Sequence, residues 1–122
     1  MSEDRLYEGQ PAERERTVYF GFDEYSVANQ YQGMLRANAD FLNDNGNREV
    51  VIEGHTDERG SREYNIALGE KRANAVRDAL LSYGVSSGQI ETVSYGEERP
   101  AVEGSGEDAW SQNRRAVIEY GQ

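Results

Sequence analysis

Asp57 and Arg72 are the two residues of this 122-residue chain whose types and positions point most directly to chemistry. Leu68, Arg72, Val76 and Leu80 recur in steps of four, the spacing of one helical face, so Arg72 projects from a stripe that otherwise buries apolar groups. Arginine cannot shed its charge inside a protein, and burying it without a counter-charge costs several kcal/mol. Asp57 lies in the loop His55-Thr56-Asp57-Glu58-Arg59-Gly60 that feeds this helix and is the nearest candidate partner. Two arrangements satisfy the pair. In the first, Asp57 and Arg72 form an internal salt bridge, or Arg72 runs its stem along the apolar face to water. In the second, the charges stand apart at the mouth between strand and helix and grip a small zwitterion, Asp57 taking an ammonium and Arg72 a carboxylate through a bidentate fork. That would be an amino-acid head-group site, each charge-assisted bond contributing on the order of 1.5–3 kcal/mol.

The elements that position these groups follow from periodicity. Thr17 to Phe22 alternate apolar Val18, Phe20 and Phe22 with their neighbours, a strand signature. From Ser26 to about Asn43, Val27, Tyr31, Met34, Leu35, Ala39 and Leu42 mark one helical face, stopped by Asn45-Gly46. Arg48 to Gly54 is a second strand rich in β-branched residues. Ser61 caps a long helix that ends at Gly84. Ile90 to Tyr95 is a third strand, a helical turn is expected around Asp108 to Gln112, and Arg114 to Tyr120 is the fourth strand. The order β-α-β-α-β-β predicts an α+β sandwich: a small mixed sheet with two helices on one face. Residues 1–16 mix charges without period and read as a flexible lead-in, leaving one domain over 17–122.

Composition narrows the function classes. Acids outnumber bases 23 to 13, a formal charge of −10, which repels a phosphate backbone and argues against nucleic acid as a partner. With no Cys and one His, disulfides, thiolate sites and ordinary zinc sites drop out, and no cofactor or metal is expected. No run approaches the roughly 18 apolar residues of a membrane span.

Other constellations are weaker. His55 near Asp57 and Ser61 invites a hydrolase reading, but no nucleophile-elbow spacing accompanies it, and His55 is read as a loop-shaping residue. Asp57 and Glu58 are adjacent and point apart, with Arg59 and Arg62 as surface partners for Glu58, a poor glycosidase pair. Glu97, Glu98, Glu103, Glu107 and Asp108 lack the calcium-loop pattern. Arg114 and Arg115 open a strand and are expected to pair with acids. Most of Tyr25, Tyr31, Tyr64, Tyr83, Tyr95 and Tyr120 are expected in the core, with Tyr64 and Tyr95 as candidates for an interaction rim.

Phe20-Gly21-Phe22-Asp23, Glu53-Gly54-His55-Thr56-Asp57-Glu58-Arg59-Gly60, Tyr64-Asn65-Ile66-Ala67-Leu68-Gly69-Glu70-Lys71-Arg72-Ala73, Val93-Ser94-Tyr95-Gly96 and Asn113-Arg114-Arg115-Ala116-Val117 together resemble the outer-membrane-protein-A-like (OmpA-like) peptidoglycan-binding domains, and within them the peptidoglycan-associated lipoproteins of the Tol-Pal system. The resemblance runs over about residues 17–120. It implies a non-catalytic periplasmic module, associated with the Gram-negative outer membrane, that binds the meso-diaminopimelate of the stem peptide without covalent attachment and tethers the outer membrane to the wall. The family's key acid falls on Asp57 and its key arginine on Arg72; Phe22, Asp23 and Leu68 line the pocket by the same carry-over, and Asn65 holds the loop in shape. The resemblance also implies the propeller protein TolB as a partner whose surface overlaps the wall-binding mouth. Such lipoproteins carry an acylated N-terminal Cys; this chain begins Met1-Ser2 and is read as a form without its anchor, so that membrane attachment would come only through a lipid absent here. Many relatives have Ser at the position of Gly69 and Arg at that of Lys71, departures that leave the clamp untouched. An enzyme processing the same stem peptide is the alternative. On the clamp reading, Asp57→Ala and Arg72→Ala each abolish wall binding while the fold survives.

Overall fold

The computed structural model of the chain describes residues 9–121. Four strands and three helices follow one another as β1 (Thr17–Tyr19), α1 (Gln32–Asp44), β2 (Val50–His55), α2 (Arg62–Ser82), β3 (Ile90–Gly96), α3 (Glu107–Asn113) and β4 (Arg115–Tyr120), with single 3-10 turns at Glu13–Glu15, Asn29–Tyr31 and Ser87–Gln89. The strands form one sheet in the order β1-β4-β2-β3. β4 is antiparallel to both its neighbours, and β3 runs parallel to β2 in the register Val50↔Ile90. The α+β architecture is the one expected.

Alternation decides which face of the sheet is covered. Val18, Val50, Ile52, Ile90, Ala116, Ile118 and Tyr120 point inward and pack with Leu35, Ala39 and Leu42 of α1 and Ala73, Val76 and Leu80 of α2 in one core. Ser61 caps α2 as its position predicts, its hydroxyl accepting the Tyr64 backbone N–H at 3.1 Å. The far end closes on Gly84, at φ +97°, with Val85 N–H donating to Leu80 O and Gly84 N–H to Leu81 O, the two hydrogen bonds of a Schellman turn.

At one point the helix lies directly on the strand. A Cβ added to Gly54 would stand 1.7 Å from Gly69 O, and one added to Gly69 would meet Ser94 Oγ at 2.2 Å. Two glycines thus let the backbones of α2 and β2 touch. Arg72, one turn beyond Gly69, is thereby brought to the end of β2.

Several sequence expectations need correction. β1 stops at Tyr19 rather than running to Phe22, because beyond Phe20, whose N–H still reaches Arg114 O at 3.0 Å, β4 has ended and Gly21 begins a turn closed by Glu24 N–H on Gly21 O. Phe22 is consequently 60% exposed instead of inward. α1 begins at Gln32, not Ser26; the residues just before it form the 3-10 turn Asn29–Tyr31, with Tyr31 N–H on Ala28 O at 3.1 Å, instead of α-helix. His55 belongs to β2 as its last residue and is buried, not in the loop. Of the six tyrosines expected mainly in the core, Tyr120 is buried, whereas Tyr25 and Tyr64 are about half exposed. Of the expected lead-in, residues 1–8 lie outside the described residues, while Gln10, Ala12 and Arg16 are buried and Ile118 N–H donates to Arg16 O at 2.8 Å.

Candidate functional site

Where β2 ends at His55, a single residue, Thr56, separates the strand from Asp57. Thr56 N–H reaches across to Gly96 O at 2.8 Å and fixes the exit of the strand, and the Thr56 hydroxyl donates to Asp57 O at 2.9 Å. Asp57 then folds back on its own loop. Its Oδ1 accepts the Arg59 backbone N–H at 3.0 Å and Arg59 Nε at 3.1 Å, and Oδ2 accepts Arg59 Nη2 at 2.7 Å. Arg114 Nη1 stands 3.6 Å from Oδ2. Burial pushes the Asp57 carboxyl upward, but the bonds from Arg59 outweigh it and hold the group below its ordinary value of 3.8. Asp57 is therefore an anion, only 4% exposed.

Arg72 is wholly buried, at 0% exposure. Neither of the plainer arrangements of the sequence analysis holds. Its stem does not run to water, and among the described residues it makes no ion pair with Asp57 or any other acid. Its guanidinium instead donates to three backbone carbonyls: Nε to Glu24 O at 2.8 Å, Nη1 to His55 O at 2.9 Å and Nη2 to Gly21 O at 3.2 Å. Two of these belong to the loop after β1 and one to the end of β2, so Arg72 ties that loop to the strand. Burial lowers its pKa to about 10, with the Asp57 charge acting in the opposite sense, and it remains a cation at neutral pH.

All six residues singled out from the sequence, Phe22, Asp23, Asp57, Asn65, Leu68 and Arg72, line one cavity of about 210 Å³. Tyr64, 51% exposed, stands at its rim and donates its hydroxyl to Asp23, which holds the left-handed backbone conformation (φ +57°) that aspartate tolerates. Asn65 is buried and joins two loops, its Nδ2 donating to Glu97 Oε1 at 2.6 Å and to Asp57 O at 3.4 Å. Arg59 completes the wall, so the charged lining is Asp23 and Asp57 against Arg59 and Arg72, with no net charge.

Arg59 is the site residue the sequence reading missed. It was assigned to Glu58, but the structure pairs it with Asp57; Arg62 goes to Glu98 at 2.6 Å, and Glu58 accepts from the Ser105 hydroxyl. The signal was Asp-x-Arg before Gly60, whose φ of +102° makes the loop turn back. His55 presents its carbonyl to Arg72 while its ring faces away, with Nε2 3.3 Å from Glu53 Oε1 and a tilted contact with Tyr95; burial lowers its pKa. Arg114 does pair with an acid, Glu107, at 2.9 Å, and Arg115 donates to the carbonyls of Asn113 and Arg99.

Chemically, a cavity with an oriented carboxylate, a fixed guanidinium and apolar walls from Phe22 and Leu68 suits a small dipolar group on a methylene stem. The model of the OmpA family matches residues 19–114. The peptidoglycan-associated lipoprotein of Pasteurella multocida (strain Pm70) is 56% identical over 108 residues, covering 88% of this chain and 72% of that protein. The protein of the same name from Haemophilus influenzae is 54% identical over 108 residues, covering 88% and 71%. The crystal structure of the peptidoglycan-associated lipoprotein from Burkholderia pseudomallei superposes with a TM-score of 0.86 at 52% identity, over 87% of this chain and 90% of that one. The C-terminal domain of Helicobacter pylori MotB shares the fold, with a TM-score of 0.78 at 19% identity over 86% and 82% of the two chains. By the extent of the family match and the identity to these relatives, this chain belongs to the OmpA family.

Proposed function

We propose that the cavity binds the end of the meso-diaminopimelate side chain in peptidoglycan stem peptides, non-covalently and without catalysis, and that the protein thereby ties the outer membrane to the wall from the periplasmic side. The observation that carries this is one cavity holding Asp57 as an anion and Arg72 as a cation that makes no ion pair with a carboxylate among the described residues. Diaminopimelate ends in an ammonium and a carboxylate on one carbon. The ammonium would meet Asp57 and the carboxylate Arg72, while Leu68 and Phe22 flank the methylenes. A dipolar head group enters a neutral lining without unbalancing it; a simple cation or anion does not.

Exposed Phe22 and Tyr64 at the cavity, with exposed Tyr25 in the loop after β1, are a surface of the kind that protein partners cover, and TolB, implied by the resemblance, is the proposed partner there. Wall and partner would then exclude one another.

Calorimetric titration with a diaminopimelate-containing muropeptide tests the site, together with sedimentation of the protein on purified sacculi. Wild type binds, and Asp57→Asn loses at least tenfold. Equal affinity of the two proteins would refute the clamp, and release of soluble muropeptides from the sacculi would favour an enzyme.

A further inference from the structure

Arg59 is the one charged residue of the cavity lining that neither helix periodicity nor the family resemblance points to. Its guanidinium carbon lies 4.1 Å from the centroid of the Phe22 ring and 3.9 Å from that of Trp110. The group is thus in contact with two rings while its nitrogens engage Asp57. The three side chains come from three segments: Phe22 from the loop after β1, Arg59 from the loop between β2 and α2, and Trp110 from α3. Trp110 Nε1 is buried and has no acceptor among the described residues, so its N–H does not fix the ring. The carboxylate of Asp57 is likewise underdetermined without Arg59. The backbone N–H of residue 59 restrains Oδ1 alone, and Arg114, committed to Glu107, stands 3.6 Å from Oδ2.

We propose that Arg59 is a positioning residue of the site: forked onto Asp57 and wedged against Phe22 and Trp110, it aims the carboxylate into the cavity and locks the loop after β1 to α3. This rests on reading the cavity as the diaminopimelate site. Arg59 acts through Asp57 and Phe22 and stays in its slot when ligand enters.

The test compares Arg59→Lys, which keeps the charge but loses the fork and the plane, with Arg59→Gln, which loses all three. Affinity for the diaminopimelate muropeptide falls at least tenfold in Arg59→Lys and further in Arg59→Gln, while the urea midpoint stays close to wild type in Arg59→Lys, which keeps a cation beside Asp57, and falls in Arg59→Gln. Trp110, the single tryptophan of the chain, reports on the slot. Its emission shifts to the red in both variants without ligand, and in wild type it stays put on saturation. An NMR titration of the Asp57 carboxyl carbon in ligand-free protein follows the positioning directly. Arg59→Gln moves the midpoint up towards an ordinary aspartate, against the unchanged background of Arg114, Arg72, Glu107 and Asp23. Wild-type affinity in Arg59→Lys would make Arg59 a bystander. Tighter binding in either variant, or a Trp110 shift when wild type is saturated, would make it a competitor that ligand must displace; each overturns the proposal. If wild type itself does not bind the muropeptide, the functional reading fails and the Asp57 titration decides alone, an unmoved midpoint in Arg59→Gln overturning the positioning role.

Discussion

Gly54→Ala tests how the fold makes the site. The new methyl carbon would lie 1.7 Å from Gly69 O, a backbone atom that cannot rotate away, and real Cβ contacts do not come below 3.0 Å. Helix and strand must therefore part by about 1.3 Å or more at that level. Arg72 sits three residues further along the same helix, and its bond to His55 O is 2.9 Å long, so a retreat of this size takes it out of hydrogen-bond range. Overpacking of this kind costs about 1–3 kcal/mol, and loss of a hydrogen bond made by a charged group adds about 1.5–3 kcal/mol. The expected destabilisation is about 2.5–6 kcal/mol, a large share of a typical domain's stability. Urea denaturation reads this loss, and muropeptide calorimetry under native conditions reads the displaced guanidinium as at least a tenfold drop in affinity. A variant that loses less than about 1 kcal/mol and binds like wild type would refute the backbone contact as the device that places Arg72.

Three further outcomes follow from the same geometry. Gly69→Ala is milder, because the nearest obstacle is Ser94 Oγ, a side-chain atom; Ser94→Ala in the same chain recovers part of the lost stability, and denaturation of the single and double variants measures the coupling. Muropeptides carrying lysine in place of diaminopimelate bind at least tenfold more weakly by calorimetry, because lysine adds a cation to a neutral lining and leaves Arg72 without its carboxylate. His55, whose pKa burial lowers from 6.5, takes up a proton more readily unfolded than folded. Stability is therefore fully present above about pH 6.5 and falls as the pH drops towards the folded value; His55→Gln flattens this stretch of a stability-versus-pH curve.

How far the site was legible differs from residue to residue. The step of four through Leu68, Arg72, Val76 and Leu80 disclosed a cation on a buried face, and Ser61 and Gly84 marked the ends of its helix, because these are local signals with a single structural solution. The partners of Arg72 were not legible. A carbonyl oxygen is the same in every residue, so nothing in Gly21, Glu24 or His55 announces that its backbone will serve a guanidinium 51, 48 or 17 positions away. The turn from Gly21 to Glu24 ended β1 early, and a 3-10 turn at Asn29–Tyr31 stands where the start of α1 was expected. Arg59 was hidden differently. Charge counting gave it to its neighbour Glu58, whereas the loop folds it back onto Asp57.

That Arg72 is held by carbonyls rather than by an acid also revises what its substitution can show. Arg72→Ala was expected to remove binding and spare the fold, but the side chain is fully buried and joins the loop after β1 to β2. Removing it takes a donor from three carbonyls, of which Gly21 O keeps the Glu24 N–H, at about 1–3 kcal/mol for each one left unsatisfied, so loss of binding in that variant would not separate recognition from folding. Arg72→Lys separates them better, since an ammonium keeps the charge and part of the carbonyl bonding but cannot fork onto a carboxylate. The arrangement has a consequence for recognition. Carbonyl dipoles fix the plane of the guanidinium without cancelling its charge, whereas a buried aspartate in their place would have spent it. Burial lowers the Arg72 pKa to about 10 even with Asp57 nearby, which shows a cation that the protein compensates only in part. A ligand carboxylate would supply the remainder, and in a chain with a formal charge of −10 an anion gains entry most readily when it carries its own ammonium.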